Sequence, residues 1–138
     1  MLLNVAPATR LPVDTLRLAD PLVVNEHEAE VLLGHAFEDP SAAAAELAGL
    51  GSRSVVVTLG SSGVTGHEND RSWFLPARPV EPRDTTGAGD AFVGALAAAL
   101  ADGATLEAAA ELATRVAAAS VLGLGAQTSY PWKGDPLP

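Results

Sequence analysis

The run Ser54-Val-Val-Val-Thr-Leu59, closed by Gly60, constrains this chain more than any other segment. Three consecutive valines followed by threonine favour extended backbone, and a stretch without polar alternation belongs to a buried strand. Leu2–Ala6, stopped by Pro7, and Leu22–Val24, closing on Asn25, have the same character. Val64–Gly66 and Trp73–Leu75 flank His67-Glu-Asn-Asp70 and read as one short hairpin. Helical segments lie between and after these runs. Leu11–Ala19 carries Pro12 in its first turn; Glu26–Leu33 stops at Gly34; Ala42–Leu50 is opened by Asp39-Pro-Ser and ended by Gly49 and Gly51. Two Ala-rich helices, Ala88–Ala101 and Leu106–Leu122, are parted by Asp102-Gly-Ala-Thr, and Gly123–Pro138 reads as an irregular tail. Strands alternating with helices define an α/β layered fold with a mostly parallel sheet, and 138 residues suit one domain.

Residue content removes several kinds of chemistry. There is no cysteine, which excludes disulfide frameworks, thiolate zinc sites and cysteine nucleophiles. The single lysine, Lys133, stands near the C-terminus, which excludes a P-loop and a Schiff-base lysine. With 8 Lys and Arg against 17 Asp and Glu, the net charge of −9 argues against a nucleic-acid partner. His27, His35 and His67 have no i, i+4 pairing, so surface or capping roles suit them better than metal ligation. Trp73 and Trp132 read as packing residues. No basic leader and no long apolar span is present, so a cytoplasmic chain without a membrane partner is expected.

In parallel sheets ligands sit at the carboxyl ends of strands, which directs attention to three loops. Asp84-Thr-Thr-Gly-Ala-Gly-Asp90 leads directly into an apolar helix. Glycines let a ligand approach the backbone, and the first N–H groups of a helix attract anionic oxygen. Asp90 brings a carboxylate to the same place, as a reaction that removes a proton beside developing negative charge requires. The same residues also suit a simple N-cap turn in which Asp84, Thr85 or Thr86 caps the helix. Asn25-Glu-His-Glu28 has the spacing of a capping box, and its carboxylate is equally suited to a hydrated Mg²⁺. Thr58-Leu-Gly-Ser-Ser-Gly63 offers small residues and hydroxyls to phosphate oxygens, or is a tight turn between strands.

Taken together, Asp84–Asp90 and Asn25-x-x-Glu28 resemble the ribokinase-like (PfkB) sugar and nucleoside kinases. Asn4-Val-Ala-Pro-Ala8, Asn25-Glu-His-Glu-Ala-Glu30, Thr58-Leu-Gly-Ser-x-Gly63 and Gly125-Ala-Gln-x-Ser-x-Pro-Trp132 carry the resemblance along the whole chain, and toward the ribokinase branch. It implies a three-layer α/β/α ribokinase-like fold, present as its C-terminal half, and residues 1–138 as a single partial kinase domain. It implies ATP, Mg²⁺ and a monovalent cation, K⁺, and a sugar acceptor, ribose before fructose or a nucleoside.

By position, Asp90 matches the catalytic base, and Gly87, Ala88 and Gly89 match the anion hole for the transferring phosphoryl. Asn25 and Glu28 match the motif serving phosphates and the Mg²⁺ water shell. Thr58, Gly60, Ser61 and Gly63 match the nucleotide loop, and Thr114 stands where the adenine-lining helix often carries Asn. Asp84, with Thr86, Ser120, Gly123, Gly125 and Ser129, matches the monovalent-cation site. The half that comes first in the family supplies the Gly-rich sugar-binding segment, part of the sheet and the lid. Its absence implies either a sugar kinase lineage needing a separately encoded first half, or a nucleotide-binding remnant without turnover. Self-association through an uncovered sheet edge is the third expectation.

Overall fold

The sheet has five strands, β1 (Leu3–Asn4), β2 (Leu22–Asn25), β3 (Ser54–Thr58), β4 (Gly63–Glu68) and β5 (Arg71–Pro76), adjacent in that order. The computed structural model describes residues 1–132 and 134–138; Lys133 lies outside the described residues. Within it the chain falls into two units, Met1–Leu75 and Pro76–Pro138.

In the first unit β1, β2 and β3 are parallel, and β4 returns antiparallel to β3. The sheet is therefore mixed: its first three strands run as expected, and the hairpin supplies the antiparallel pairing. Leu22, Val24, Val55 and Val57 pack with Ala29, Ala44 and Leu47 in one buried cluster. The alternate residues Val23 and Val56 are buried as well, so neither face of β2 or β3 meets solvent. That burial of every valine accounts for the unbroken apolar run.

Helix α1 is a single turn, Val13–Leu16, shorter than the nine residues expected from Leu11 to Ala19. Pro12 holds extended backbone before it, and no side chain caps its start. Helix α2 (Glu26–Leu33) has the expected bounds and ends on Gly34, whose φ of 80° only glycine adopts freely. Helix α3 (Pro40–Gly49) begins on Asp39, which accepts from the N–H groups of Ser41 and Ala42 at 2.9 and 3.3 Å. The hairpin strands are longer than expected, because only Asn69 and Asp70 make the turn, both with positive φ. Asn and Asp tolerate that conformation better than other side chains, which is what a two-residue hairpin turn needs. Trp73 is buried against Gly66, where a Cβ would collide with the indole.

The second unit is built on α4 (Ala88–Ala101) and α5 (Leu106–Ser120), which pack on each other. Ala91, Phe92, Leu96 and Ala99 of α4 and Leu106, Ala109, Ala110 and Ala113 of α5 are buried. Alanine at these positions permits close approach of the helices. Helix α5 ends two residues earlier than expected, at Ser120, and the tail carries one short 3-10 turn, Gln127–Ser129. Trp132 is 84% exposed, which corrects its assignment as a packing residue. Its N–H donates to Asp135 Oδ2 at 2.7 Å, and the ring is left outside. Among the described residues no helix is long and apolar enough to cross a membrane.

Candidate functional site

In the first unit the carboxyl ends of β2 and β3 lie side by side, with Asn25 paired to Thr58. Asn25 caps α2: its side chain accepts from Glu28 N–H at 2.9 Å, while its own N–H donates to Glu28 Oε2 at 2.7 Å. The capping box is therefore formed, and it holds a largely buried carboxylate at the end of the strand. Capping uses Glu28 Oε2 and leaves Oε1 for a further donor, such as a water on a divalent ion. Among the described residues no three His, Asp or Glu side chains converge to hold a metal. The donor set suits a cation that keeps most of its own waters, as Mg²⁺ does.

Thr58 ends β3 with its hydroxyl directed to Val24 O at 3.4 Å. Gly60–Ser62 then makes one 3-10 turn, closed by Leu59 N–H on Gly63 O at 2.8 Å. Gly63, at φ 125° and ψ −139°, takes a conformation that side chains resist, and Gly60 and Ser61 are exposed. A shallow hollow of about 340 Å³ lies elsewhere in this unit, lined by Arg10, His27, Glu30, Val31, Gly34 and His35. It runs along a different face of α2 from Glu28 and includes none of the expected site residues.

In the second unit the start of α4 is bare. Gly87 is its N-cap in left-handed conformation, and no side chain caps it. Ala88 N–H donates to Thr85 O at 3.2 Å and Ala91 N–H to Gly87 O at 2.9 Å. Among the described residues the N–H groups of Gly89 and Asp90 have no acceptor, and both residues are exposed. Two open amides at the positive end of a 14-residue helix form an anion-accepting surface, with the Asp90 carboxylate in the same first turn. Ala88 contributes its peptide plane here, since its N–H is already bonded.

Asp84 stands before this turn and ties it to the tail. Its Oδ1 accepts from Thr86 N–H at 2.9 Å and its Oδ2 from Gly125 N–H at 3.0 Å. These bonds, that from Thr86 foremost, hold its carboxyl below the ordinary carboxylate value and keep it charged. Arg83 and Asp84 N–H donate to Val121 O, next to buried Ser120. Ser129 Oγ donates to Gly125 O and sits so close to Gly123 that a Cβ there would lie 2.6 Å from it. The unit thus ties Asp84 to Thr86 and Gly125, and Ser129 to Gly125 and Gly123, beside a fixed negative charge. Hard oxygen donors with a single carboxylate suit an alkali cation better than a transition metal. Thr114 is buried in α5 and donates to Ala110 O at 2.8 Å, so its hydroxyl proton is committed to its own helix.

Sequence reasoning passed over Tyr130, whose hydroxyl donates to Gly87 O at 3.0 Å. The available signal was that this is the one tyrosine of the chain, set between Ser129 and Pro131 in the segment that carries Gly125.

The first unit is an α/β layer with a capping box at a strand end, and the second holds an uncapped glycine turn with Asp90 in its first helical turn. The chain belongs to the pfkB family of carbohydrate kinases, whose model matches residues 1–133. It is 39% identical over 135 residues to the ribokinase of Bacillus subtilis (strain 168), covering 98% of this chain and 44% of that protein. A ribokinase crystal structure from Thermotoga maritima superposes with TM-score 0.85 at 38% identity, over 93% of this chain and 44% of that one. An Arabidopsis thaliana ribokinase complexed with ribose and ATP gives TM-score 0.85 at 33% identity, over 93% and 43%. The chain therefore spans less than half the length of these relatives, and its fold is ribokinase-like.

Proposed function

We propose that this chain is the nucleotide-binding and phosphoryl-transfer part of an ATP-dependent sugar kinase of ribokinase type, with D-ribose converted to ribose 5-phosphate as the reaction. Its two units are read as parts of one kinase domain. The observation that carries the proposal is the uncapped start of α4, with two unpartnered amides and Asp90 in its first turn, in a chain of the pfkB family. The Arabidopsis relative's complex with ribose and ATP supports the choice of substrates.

In this reading the ribose hydroxyl oxygen forms a bond to the γ-phosphorus of ATP while the bond to the bridging oxygen breaks. The hydroxyl proton passes to the Asp90 carboxylate. The Gly89 and Asp90 amides, with Gly87 and Ala88 shaping the turn, receive charge on the transferring phosphoryl. Asn25, Glu28, Thr58, Gly60, Ser61 and Gly63 serve the nucleotide and its phosphates, and the α5 segment at Thr114 serves the adenine. Glu28 would orient water on Mg²⁺, which supplies phosphate charge neutralisation when bound. Asp84, Thr86, Ser120, Gly123, Gly125 and Ser129 would hold K⁺, which supplies a fixed positive charge behind the turn. With no lysine among these groups, amides and cations carry the electrostatic load.

A second reading, nucleotide binding without turnover, draws on the same strand-end residues Asn25, Glu28 and Thr58 without a role for Asp90. The two are separated by joining the chain to the N-terminal portion of the Bacillus subtilis relative and assaying ribose 5-phosphate. Turnover above that of either part alone supports the kinase; nucleotide binding without turnover supports the second reading.

A further inference from the structure

The peptide between Gly87 and Ala88 is fixed from three directions. Its N–H is bonded to Thr85 O, and its oxygen accepts from Ala91 N–H at 2.9 Å and from Tyr130 Oη at 3.0 Å. The tyrosine comes from outside the helix, 43 residues along the chain. It also presses on the turn: an ideal Cβ at Gly87 would lie 2.6 Å from Tyr130 Oη and 2.8 Å from Ala126 Cβ. Gly87 at φ 80° is thus required both by its conformation and by the tyrosine above it.

The next two peptides are those whose N–H groups stay open. A helix start with no side-chain cap has little of its own to set the direction of these amides. The hydroxyl of Tyr130 does so from the tail, while Asp84 clasps Gly125 five residues earlier in the same tail segment. The segment Gly125–Tyr130 is therefore fastened at both ends, to Asp84 and to Gly87. It is stiffened between them by Ser129 Oγ on Gly125 O and Ser129 N–H on Ala126 O.

We infer that Tyr130 is a positioning residue for phosphoryl binding: its hydroxyl holds the Gly87–Ala88 peptide so that the Gly89 and Asp90 amides meet a terminal phosphate. This inference rests on the reading of those amides given above. Removing the hydroxyl leaves Gly87 O still paired with Ala91, so the loss is one of placement and not of an unsatisfied buried group. A net hydrogen bond of roughly 0.5–1.5 kcal/mol, at 1.4 kcal/mol per tenfold, corresponds to about a 2- to 10-fold effect.

The test uses the 138-residue chain and compares Mg·ATP with Mg·ADP affinity by calorimetry, for wild type, Tyr130→Phe and Thr128→Ala. Thr128 is the control, since its hydroxyl bonds Leu124 O in the same tail without touching Gly87. Tyr130→Phe is expected to cut the ATP-over-ADP preference about 2- to 10-fold, to leave ADP affinity unchanged and to speed hydrogen exchange at Ala91 N–H. Thr128→Ala is expected to change none of these. An unchanged ATP-over-ADP ratio in Tyr130→Phe, or an equal loss in Thr128→Ala, overturns the inference while leaving the site reading intact. A wild-type chain that binds Mg·ADP and gains nothing from the third phosphate overturns the site reading itself, and the inference with it.

Discussion

Asn25 and Thr58 are register partners at the carboxyl ends of two parallel strands, so the capping box of α2 and the Gly60 turn begin from adjacent points on the sheet. Parallel pairing brings together two segments that are 33 residues apart in sequence. Each was ambiguous alone, because Asn25-x-x-Glu28 caps a helix and Gly60–Gly63 turns a chain. Their juxtaposition at the carboxyl ends of neighbouring strands is what favours a ligand-facing role, since strand ends in such sheets are where ligands collect.

The Asp84 carboxylate is the one charged group in the proposed cation site. In the chain joined to a relative's N-terminal portion, Asp84→Ala is expected to abolish the difference in turnover between K⁺ and a large organic cation. The fold should survive, because Asp84 is partly exposed and its bonds go to Thr86 and Gly125 at the surface. A wild-type fusion equally active in both cations would contradict the cation assignment before any mutation is made.

The imidazole of His35 links the end of α2 to α3, with Nδ1 2.9 Å from Ala36 O and Nε2 2.8 Å from Glu46 Oε1. The Ala36 carbonyl, then the Glu46 carboxylate, raise its pKa above the ordinary value of 6.5. A raised value in the folded chain means that the link stabilises fully below pH 6.5 and is lost as pH rises through the folded pKa. Ring-proton NMR should place the His35 midpoint above 6.5, and Glu46→Gln should lower it. An unchanged midpoint in Glu46→Gln would remove the carboxylate from the explanation.

Gly66 lies flat against the buried Trp73 ring, and even one methyl group has no room there. Gly66→Ala is expected to destabilise the first unit by about 1–3 kcal/mol, the usual cost of overpacking. Urea denaturation followed by tryptophan fluorescence measures it. A loss within error would mean that the β4–β5 hairpin yields easily to the added carbon.

Legibility varied with how locally each feature is determined. The bounds of α2 and the start of α4 could be read from Asn25, Gly34 and Gly87, because caps and left-handed glycines act over one turn. For Leu11–Ala19, Pro12 and Asp14 suit a helix start, yet Pro12 stays extended, no side chain caps the start, and one turn forms. Tyr130 was missed because its partner, Gly87, is distant in sequence and no short pattern links them. Trp132 misled for a related reason, since a large ring implies burial only when the chain provides a wall for it. The site residues themselves came from resemblance to a family; on the residues alone, capping and turn formation explained them equally well.

On its own, the 138-residue chain is expected to bind Mg·ATP weakly and to phosphorylate no ribose. Holding the acceptor hydroxyl beside the phosphate can contribute roughly 7–11 kcal/mol, and among the proposed roles only Asp90 meets the sugar. Repeated turnover by the pure chain in ATP, Mg²⁺, K⁺ and ribose would show that the chain holds a sugar site of its own.

The central claim is that Asp90, at the bare start of α4, takes the proton during phosphoryl transfer. The most direct measurement is ribose 5-phosphate formation by the chain fused behind the N-terminal portion of the Bacillus subtilis relative, as wild type and as Asp90→Asn. The carboxamide keeps the volume and cannot accept the proton. The expected result is a fall in kcat of about 10²–10⁴-fold with ATP affinity within a few-fold of wild type. Equal kcat in the two fusions would contradict it.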